Sequence, residues 1–296
     1  MKSQKKAYIY AISAVLFWST AASAFKLTLR YTDVLPLLLY SSLTSFAVLF
    51  IVLLVQGKFS LLLSCTKKDL LRSFCIGLLN PFLYYVVLFK AYSLLPAQQA
   101  MTLNYTWPLM LVLLSIPLLK QNITARSIIA VVISFTGVII IGTEGTITSL
   151  HFISPGGVVL ALGSSIIWAL FWIFNVRDHR DEVVKLLLNF TSGTGFILIV
   201  SSLFSGVSVP GIPAACGMVY IGLFEMGITF VLWLRALRLS GTTAQVGNMV
   251  YLSPFLSLIF IHFVVGESIA VSTFAGLLLI MIGIVLQGRV KMVRGA

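Results

Sequence analysis

The sequence predicts an all-α membrane protein: ten transmembrane helices, arranged as two inverted five-helix repeats, with the N- and C-termini cytoplasmic. Three observations predict it: the apolar content, the placement of the basic residues, and an echo between the two halves. Of 296 residues, 59% are apolar and 9% charged, and mean hydropathy is +1.06. Soluble domains carry about 25% charged residues. A soluble chain of this length has no interior large enough to hide so much apolar surface. The net charge of +12 would suit nucleic acid. The basic residues, however, are scattered over short loops, where membrane orientation accounts for them.

Apolar runs of ~17–25 residues between polar breaks mark the spans. They fall at 7–27, 34–55, 73–92, 97–119, 125–143, 155–175, 186–206, 213–234, 243–264 and 270–288. The first span follows Lys2, Lys5 and Lys6 and contains Ala22-Ser23-Ala24, which mimics a signal-peptidase site. Residues 11–18 (AISAVLFW) match 161–168 (ALGSSIIW) in type. The first helix therefore belongs to a repeated unit and is expected to be retained. With the N-terminus inside, 17 of the 20 basic residues fall on the cytoplasmic side, and only Lys26, Arg30 and Lys90 fall outside. Such a bias sets orientation by the positive-inside rule.

The halves then align. At a shift of 145, Gly77 meets Gly222, Asn80 meets Glu225, Tyr84 meets Thr229 and Lys90 meets Arg235. At a shift of 146, Gln99 meets Gln245, Thr102 meets Asn248, Tyr105 meets Tyr251 and Pro108 meets Pro254. Trp18 meets Trp168 at 150. The units are 1–148 and 152–296. Five helices per unit is an odd number, so the units lie in opposite orientation, and inverted repeats of this kind place a binding site between them near the midplane.

Glu225, in Tyr220–Arg238 (YIGLFEMGITFVLWLRALR), is the acidic residue that no loop or membrane edge explains. A charge at the bilayer centre costs at least ~2.5–3.5 kcal/mol, so such a group normally faces a cavity, a partner or a proton path. On a continuous helix Gly222, Glu225, Thr229 and Trp233 share a face. The bland reading, a protonated Glu bonded inside a bundle, stands beside the functional one.

Both halves carry Gln-x-x-(Thr/Asn)-x-x-Tyr-x-x-Pro: Gln99, Thr102, Tyr105, Pro108 and Gln245, Asn248, Tyr251, Pro254. Steps of three keep these side chains on adjoining parts of one face. Each Pro lacks an N–H and frees the carbonyl four residues back, at Asn104 and Val250. Pro108 and Pro254 are thus candidate gating hinges. Among the aromatic residues inside spans, Trp18, Trp168 and Trp172 are candidate cavity walls, since an aromatic face near an acid suits an amphipathic solute or a cationic amine. The fifth and tenth spans carry Gly137, Gly142, Gly276, Gly283 and Gly288, the pattern of close helix packing. Glu267, after Gly266, reads as a structural residue that itself, or through Ser268, caps the tenth span. Glu144 reads as an external loop residue, and Asp178, Asp181 and Glu182 as a solvated helix start.

Cys65, Cys75 and Cys216 lack metal or redox spacing and are expected as free thiols. The chain has no HExxH, GxSxG or P-loop, and its three histidines are far apart. No catalytic residue, metal or cofactor is expected.

Several stretches carry a family resemblance: AVLFWST at 14–20, LNYTWP at 103–108, GLFEMGITFVLWLRALRLS at 222–240, YLSPF at 251–255, and VVGES at 264–268 before GLLLIMIGIVLQG at 276–288. With these the chain resembles an EamA-type member of the drug/metabolite transporter superfamily over nearly its whole length. Trp18-Ser19 and Asn104-Tyr105-x-Trp107-Pro108 are nearest in look to the aromatic-amino-acid exporter branch. The resemblance implies ten helices in two inverted repeats, a central cavity and alternating access without ATP. It points to Trp18, Asn104, Tyr105, Trp107 and Trp168 as cavity residues. One departure is that the first half has Lys120-Gln121 where the second has Gly266-Glu267.

The expectation is a multi-pass protein of a prokaryotic inner membrane that exports small amphipathic metabolites, amino acids first, aromatic ones included. Protons would be the coupling ion and Glu225 the coupling or amine-binding carboxylate. Asn80, Gln99 and Gln245 would bond the substrate, with Tyr84, Thr102, Asn104, Tyr105, Trp107, Thr229, Trp233, Asn248 and Tyr251 completing the lining. The partners are then a small-molecule substrate and the lipid bilayer, with the protein a monomer or homodimer. Efflux of cationic drugs, an uncoupled facilitator and, remotely, a non-transporting membrane protein are the alternatives.

Overall fold

The computed structural model describes residues 3–119, 125–146, 154–240 and 248–287, and every regular element among them is a helix. Six helices are long and apolar enough to cross a bilayer: Gln4–Thr28, Val34–Val55, Lys67–Leu94, Pro155–Asn175, Glu182–Phe204 and Ile212–Leu239. Shorter apolar helices cover Ile128–Gly142, Met249–Val265 and Val271–Leu286. The protein is a multi-pass integral membrane protein, because the backbone polar groups of these apolar segments are satisfied within the helices themselves.

In chain order the helices are α1 (Gln4–Thr28), α2 (Val34–Val55), α3 (Phe59–Leu63), α4 (Lys67–Gly77), α5 (Tyr84–Leu94), α6 (Ala97–Asn104) and α7 (Trp107–Leu119). They continue with α8 (Ala125–Gly142), α9 (Pro155–Val176), α10 (Glu182–Phe204), α11 (Ile212–Tyr220), α12 (Ile228–Leu239), α13 (Ser253–Phe260) and α14 (Val271–Gln287). Their starts are written in the sequence. Thr66 and Asp69 form a reciprocal capping box at α4. Ser154 caps α9 ahead of Pro155, and the Asp181 side chain accepts from Val183 N and Val184 N at α10.

Four breaks in the helices matter for function. Between α4 and α5 the chain widens over Leu78–Leu83, with Asn80 extended (φ −147°, ψ 122°) and its bond to Pro81 cis. Between α11 and α12 it makes a π-type turn over Ile221–Glu225 and then an irregular step at Gly227 (φ −110°, ψ −91°). Wide turns of this type recur at functional sites. α6 ends at Asn104 and α7 begins at Trp107, which seats Pro108 in the first turn of the new helix, where a missing N–H costs nothing. A 3-10 turn over Asn248–Leu252 leads into α13, with Pro254 in its first turn.

The break at Gly227 corrects one expectation. Gly222, Glu225, Thr229 and Trp233 do not form one continuous face. Gly222 packs on α2, where a Cβ would lie 2.5 Å from Ser41 O and from Thr44 Cβ. Thr229 turns its hydroxyl back to donate to Phe224 O. Glu225 and Trp233 remain together.

The core is a set of helix pairs. α1 packs against α12 and α13, α9 against α5 and α7, and α2 against α10. Tyr85, Phe89, Phe171, Phe190 and Phe230 are fully buried among them. α8 and α14 lie tightly together, and their glycines explain the fit. A Cβ on Gly137 would lie 2.5 Å from Gly276 O, and one on Gly276 would lie 2.7 Å from Gly137 O. Backbones approach this closely only where side chains are absent. Cys65, Cys75 and Cys216 are free thiols.

Candidate functional site

The breaks after α6 and around Gly227 converge with α1, α5 and α9 on one cavity of about 90 Å³. At ~30 Å³ for each water in the liquid, it has room for about three waters. Its walls include Trp18 from α1, Tyr84 from α5, Asn104, Tyr105 and Trp107 from the α6–α7 break, Trp168 and Trp172 from α9, Glu225, and Trp233 from α12. All nine are residues the sequence nominates. Glu225 stands 13 residues into the 28-residue helix Ile212–Leu239, close to its middle.

The rings are held against each other. Trp18 and Trp233 lie 5.3 Å apart, and Tyr84 stacks on Trp168 at 4.5 Å. Trp168 meets Trp172 edge-on at 5.9 Å. Buried Phe230 joins the two groups, 6.1 Å from Trp18 and 5.7 Å from Trp168. The offset and edge-on arrangements are the ones ring quadrupoles favour. They leave ring faces and edges as the cavity's main surface.

Polar groups are few and fixed. Tyr85 Oη donates to Glu225 Oε1 at 3.2 Å, while Glu225 Oε2 is buried with no partner among the described residues. Asn104 Nδ2 donates to Ser164 Oγ at 2.8 Å, and Asn104 Oδ1 accepts from Tyr84 Oη at 3.3 Å. Trp172 Nε1 is buried and unpartnered. Two residues that line the cavity thus each carry one buried polar atom, an acid's acceptor and an indole's donor, that no described residue satisfies. A buried polar atom without a partner is costly, so a bound solute or water that supplies one gains that energy.

Other nominated residues stand elsewhere. Asn80 is fully buried in the α4–α5 break, which packs on α9 and α10, and is not among the residues lining the cavity. Gln99 points to the end of the bundle, where Nε2 donates to Glu144 Oε1 at 2.8 Å. Thr102 bonds back to Gln98 O at 2.7 Å. Tyr251 is half-buried beside the core and does not line the cavity. Gln245 lies outside the described residues, as does the side chain of Asn248. Gln99 and Thr102 stand on the unbroken part of α6, whose cavity face carries Met101 and Asn104 instead.

Sequence reasoning missed Tyr92, Leu88, Phe25, Ala21, Ala22, Met101 and Val250 of the lining, and Tyr85 as the partner of Glu225. A signal existed for two of them: Leu88 and Tyr92 follow the nominated Tyr84 at steps of four and so share its helix face.

Polar bonds between distant segments tie both ends of the bundle. At one end Glu267 accepts from Ala97 N (2.8 Å) and Gln98 N (3.2 Å), the first donors of α6. Gln98 answers by donating to Ser268 O and accepting from Ala270 N, each at 2.9 Å. Lys26 Nζ donates to Tyr92 O and Leu95 O, and Arg30 donates to Val265 O. Glu267 thus caps α6, not the helix that follows it. Pro96, the residue at the cap position of α6, has no side-chain oxygen to do so. At the other end Lys58 pairs with Asp181 at 2.7 Å and Arg180 with Asp178 at 2.5 Å. Asp178 is 2% exposed, which corrects the solvated reading. Burial opposes its ionisation, but the Arg180 guanidinium outweighs burial and holds its carboxyl below the usual carboxylate range.

Comparison with known proteins gives the family. The EamA-like transporter family model matches residues 5–143 and again 155–288. The chain is 26% identical to YvbV, an uncharacterised transporter of Bacillus subtilis strain 168, over 71% of this chain and 69% of that one. It is 25% identical to an uncharacterised transporter of Clostridium kluyveri, over 96% of this chain and 93% of that one. A solved crystal structure superposes with a TM-score of 0.68 at 21% identity, covering 96% of this chain and 97% of that one, a likeness of fold. With family matches over both halves of a chain of apolar helices, the chain belongs to the EamA-like transporter family.

Proposed function

We propose that the protein is a secondary transporter that exports small amphipathic metabolites from a prokaryotic cell by alternating access, with Glu225 as its coupling and amine-binding carboxylate. The observation that carries this is a buried acid near the middle of a membrane-length helix, among the residues lining an aromatic cavity, whose Oε2 has no partner among the described residues. An intramembrane acid that faces a cavity is a functional site by default. A proton and a substrate ammonium cannot both occupy the same carboxylate oxygen, so each displaces the other, and that competition couples the two fluxes. Amino acids are the class the resemblance suggests, with Trp18, Trp168 and Trp233 as the stacking walls and Asn104 as an amide contact.

The architecture in this reading is ten spans in two units, 1–148 and 152–296, inverted in the inner membrane with both termini in the cytoplasm. The packing supports it. Exchanging the units carries the α1–α12 pair onto the α9–α5 pair and the α1–α13 pair onto the α9–α7 pair. The α2–α10 and α8–α14 pairs map onto themselves. In this reading the chain breaks at Pro108 and Pro254 are the hinges that open the cavity to alternate sides.

The test is flux in proteoliposomes under an imposed pH gradient, wild type against Glu225→Gln. The reading expects a gradient-accelerated solute and a variant that loses the acceleration. Equal flux with and without the gradient, in both proteins, would leave an uncoupled facilitator.

A further inference from the structure

The charge balance of the cavity narrows its cargo. We infer that the site takes organic monocations, specifically aromatic or alkyl primary amines that carry an uncharged oxygen acceptor, in preference to zwitterionic amino acids. The inference rests on the transporter reading above and deepens it.

Among the described residues lining the cavity, Glu225 is the one acidic group, and none is Lys, Arg or His. Lys26, the basic residue of α1 nearest in sequence to the lining residues Ala22 and Phe25, is turned to the end of the bundle, where Nζ holds the carbonyls of Tyr92 and Leu95. The sequence of 241–247, GTTAQVG, adds no charge. A substrate ammonium therefore meets a carboxylate and several ring faces, both of which attract cations. A substrate carboxylate would meet ring faces and the Glu225 carboxylate, both of which repel it, with no cation among the described lining residues to balance it. Burying a charge without a partner is strongly unfavourable.

The second unsatisfied atom specifies the rest. Trp172 Nε1 is a buried donor with no acceptor among the described residues, on a ring 5.9 Å from Trp168, and Trp172 lines the same cavity as Glu225. Indole N–H groups are donors only. A neutral amide, ester, carbonyl or hydroxyl oxygen on the substrate would complete it, and a bare hydrocarbon amine would leave it orphaned. Sites built to bond a substrate oxygen discriminate strongly against analogues that lack it.

The experiment uses matched probes that differ in one group: phenylalaninamide, phenethylamine and L-phenylalanine, with tryptamine and L-tryptophan as a second pair. Binding to the purified full chain in detergent is read by calorimetry, and counterflow is read in proteoliposomes. The inference expects phenylalaninamide to bind at least about ten-fold tighter than phenylalanine. It also expects phenylalaninamide to bind tighter than phenethylamine, and Trp172→Phe to erase that second difference while the ring wall is kept. If the amino acids bind as tightly as the amines or tighter, the cargo inference is overturned and the transporter reading stands. If the amines bind and displace one another but phenethylamine equals phenylalaninamide in wild type, the role of Trp172 is overturned. If no probe binds and none moves, the cargo inference is overturned. Gradient-driven movement of some other solute then decides the transporter reading separately.

Discussion

The cap that Glu267 places on α6 can be tested for its energy. Glu267→Ala removes both acceptors of Ala97 N and Gln98 N, two of the four donors that the start of any α-helix leaves unpaired. Neither neighbour can replace them, since Pro96 has no side-chain oxygen and Gln98 is committed to Ser268 O and Ala270 N. Losing a helix cap costs ~0.5–2 kcal/mol, and bonds to a charged acceptor fall at the upper part of such ranges. A loss of ~1–2 kcal/mol follows, which lowers the melting temperature by about 2–8 °C at the ~2–4 °C per kcal/mol of large domains. Thermal unfolding in detergent would compare wild type, Glu267→Ala, Gln98→Ala and the double variant. Because the two residues share one bonding ring, the double-mutant cycle should show a coupling of ~0.5 kcal/mol or more. An unchanged melt for Glu267→Ala, or strict additivity with Gln98→Ala, would refute the cap.

Other consequences can be checked in the same way. Gly276→Leu forces a side chain into the Gly137 carbonyl, so it should destabilise by ~1–3 kcal/mol and lower the melting temperature. Asp178→Asn removes the charge that Arg180 faces, and a melt near neutral pH should show a loss of ~1.5–3 kcal/mol. Because the Asp178 carboxyl is held below its usual range in the fold, its stabilisation is complete above the unfolded value of ~3.9 and fades as pH falls below it. The gap between wild type and Asp178→Asn should therefore close in acid. Trp168→Ala strips a wall shared by Tyr84, Trp172 and Phe230, so it should weaken solute binding at least about ten-fold while Trp168→Phe keeps most of it.

Much of this site was legible because its chemistry is improbable in a membrane. Glu225 stands out by cost alone, and Trp18, Trp107 and Trp168 stand out because they sit away from the span edges. The bilayer reading needed only composition and the length of apolar runs. What the sequence hid are the consequences of helix breaks. Periodicity assumes a continuous helix, so it put Thr229 in the cavity, while the repeated stripe nominated Gln99 and the pairing of the halves nominated Asn80 opposite Glu225. The turn at Ile221–Glu225 and the step at Gly227 moved Thr229 onto Phe224 O, and on α6 the face with Met101 and Asn104 lines the cavity while Gln99 reaches Glu144. Long-range partnerships were equally out of reach. Nothing local in Gly266-Glu267 says that its carboxylate caps a helix 170 residues away. Nothing local in Arg-Asp-His-Arg says that Asp178 is buried under Arg180.

The central claim is that Glu225 exchanges a proton for a substrate cation. It is tested most directly by proton release on binding. Purified protein in weakly buffered detergent is mixed with phenylalaninamide below the pH at which the probe loses its own charge, and the released protons are counted against the bound probe. The account predicts release that follows occupancy in wild type and is absent in Glu225→Gln. Binding without proton release in wild type, or the same release from Glu225→Gln, would contradict it.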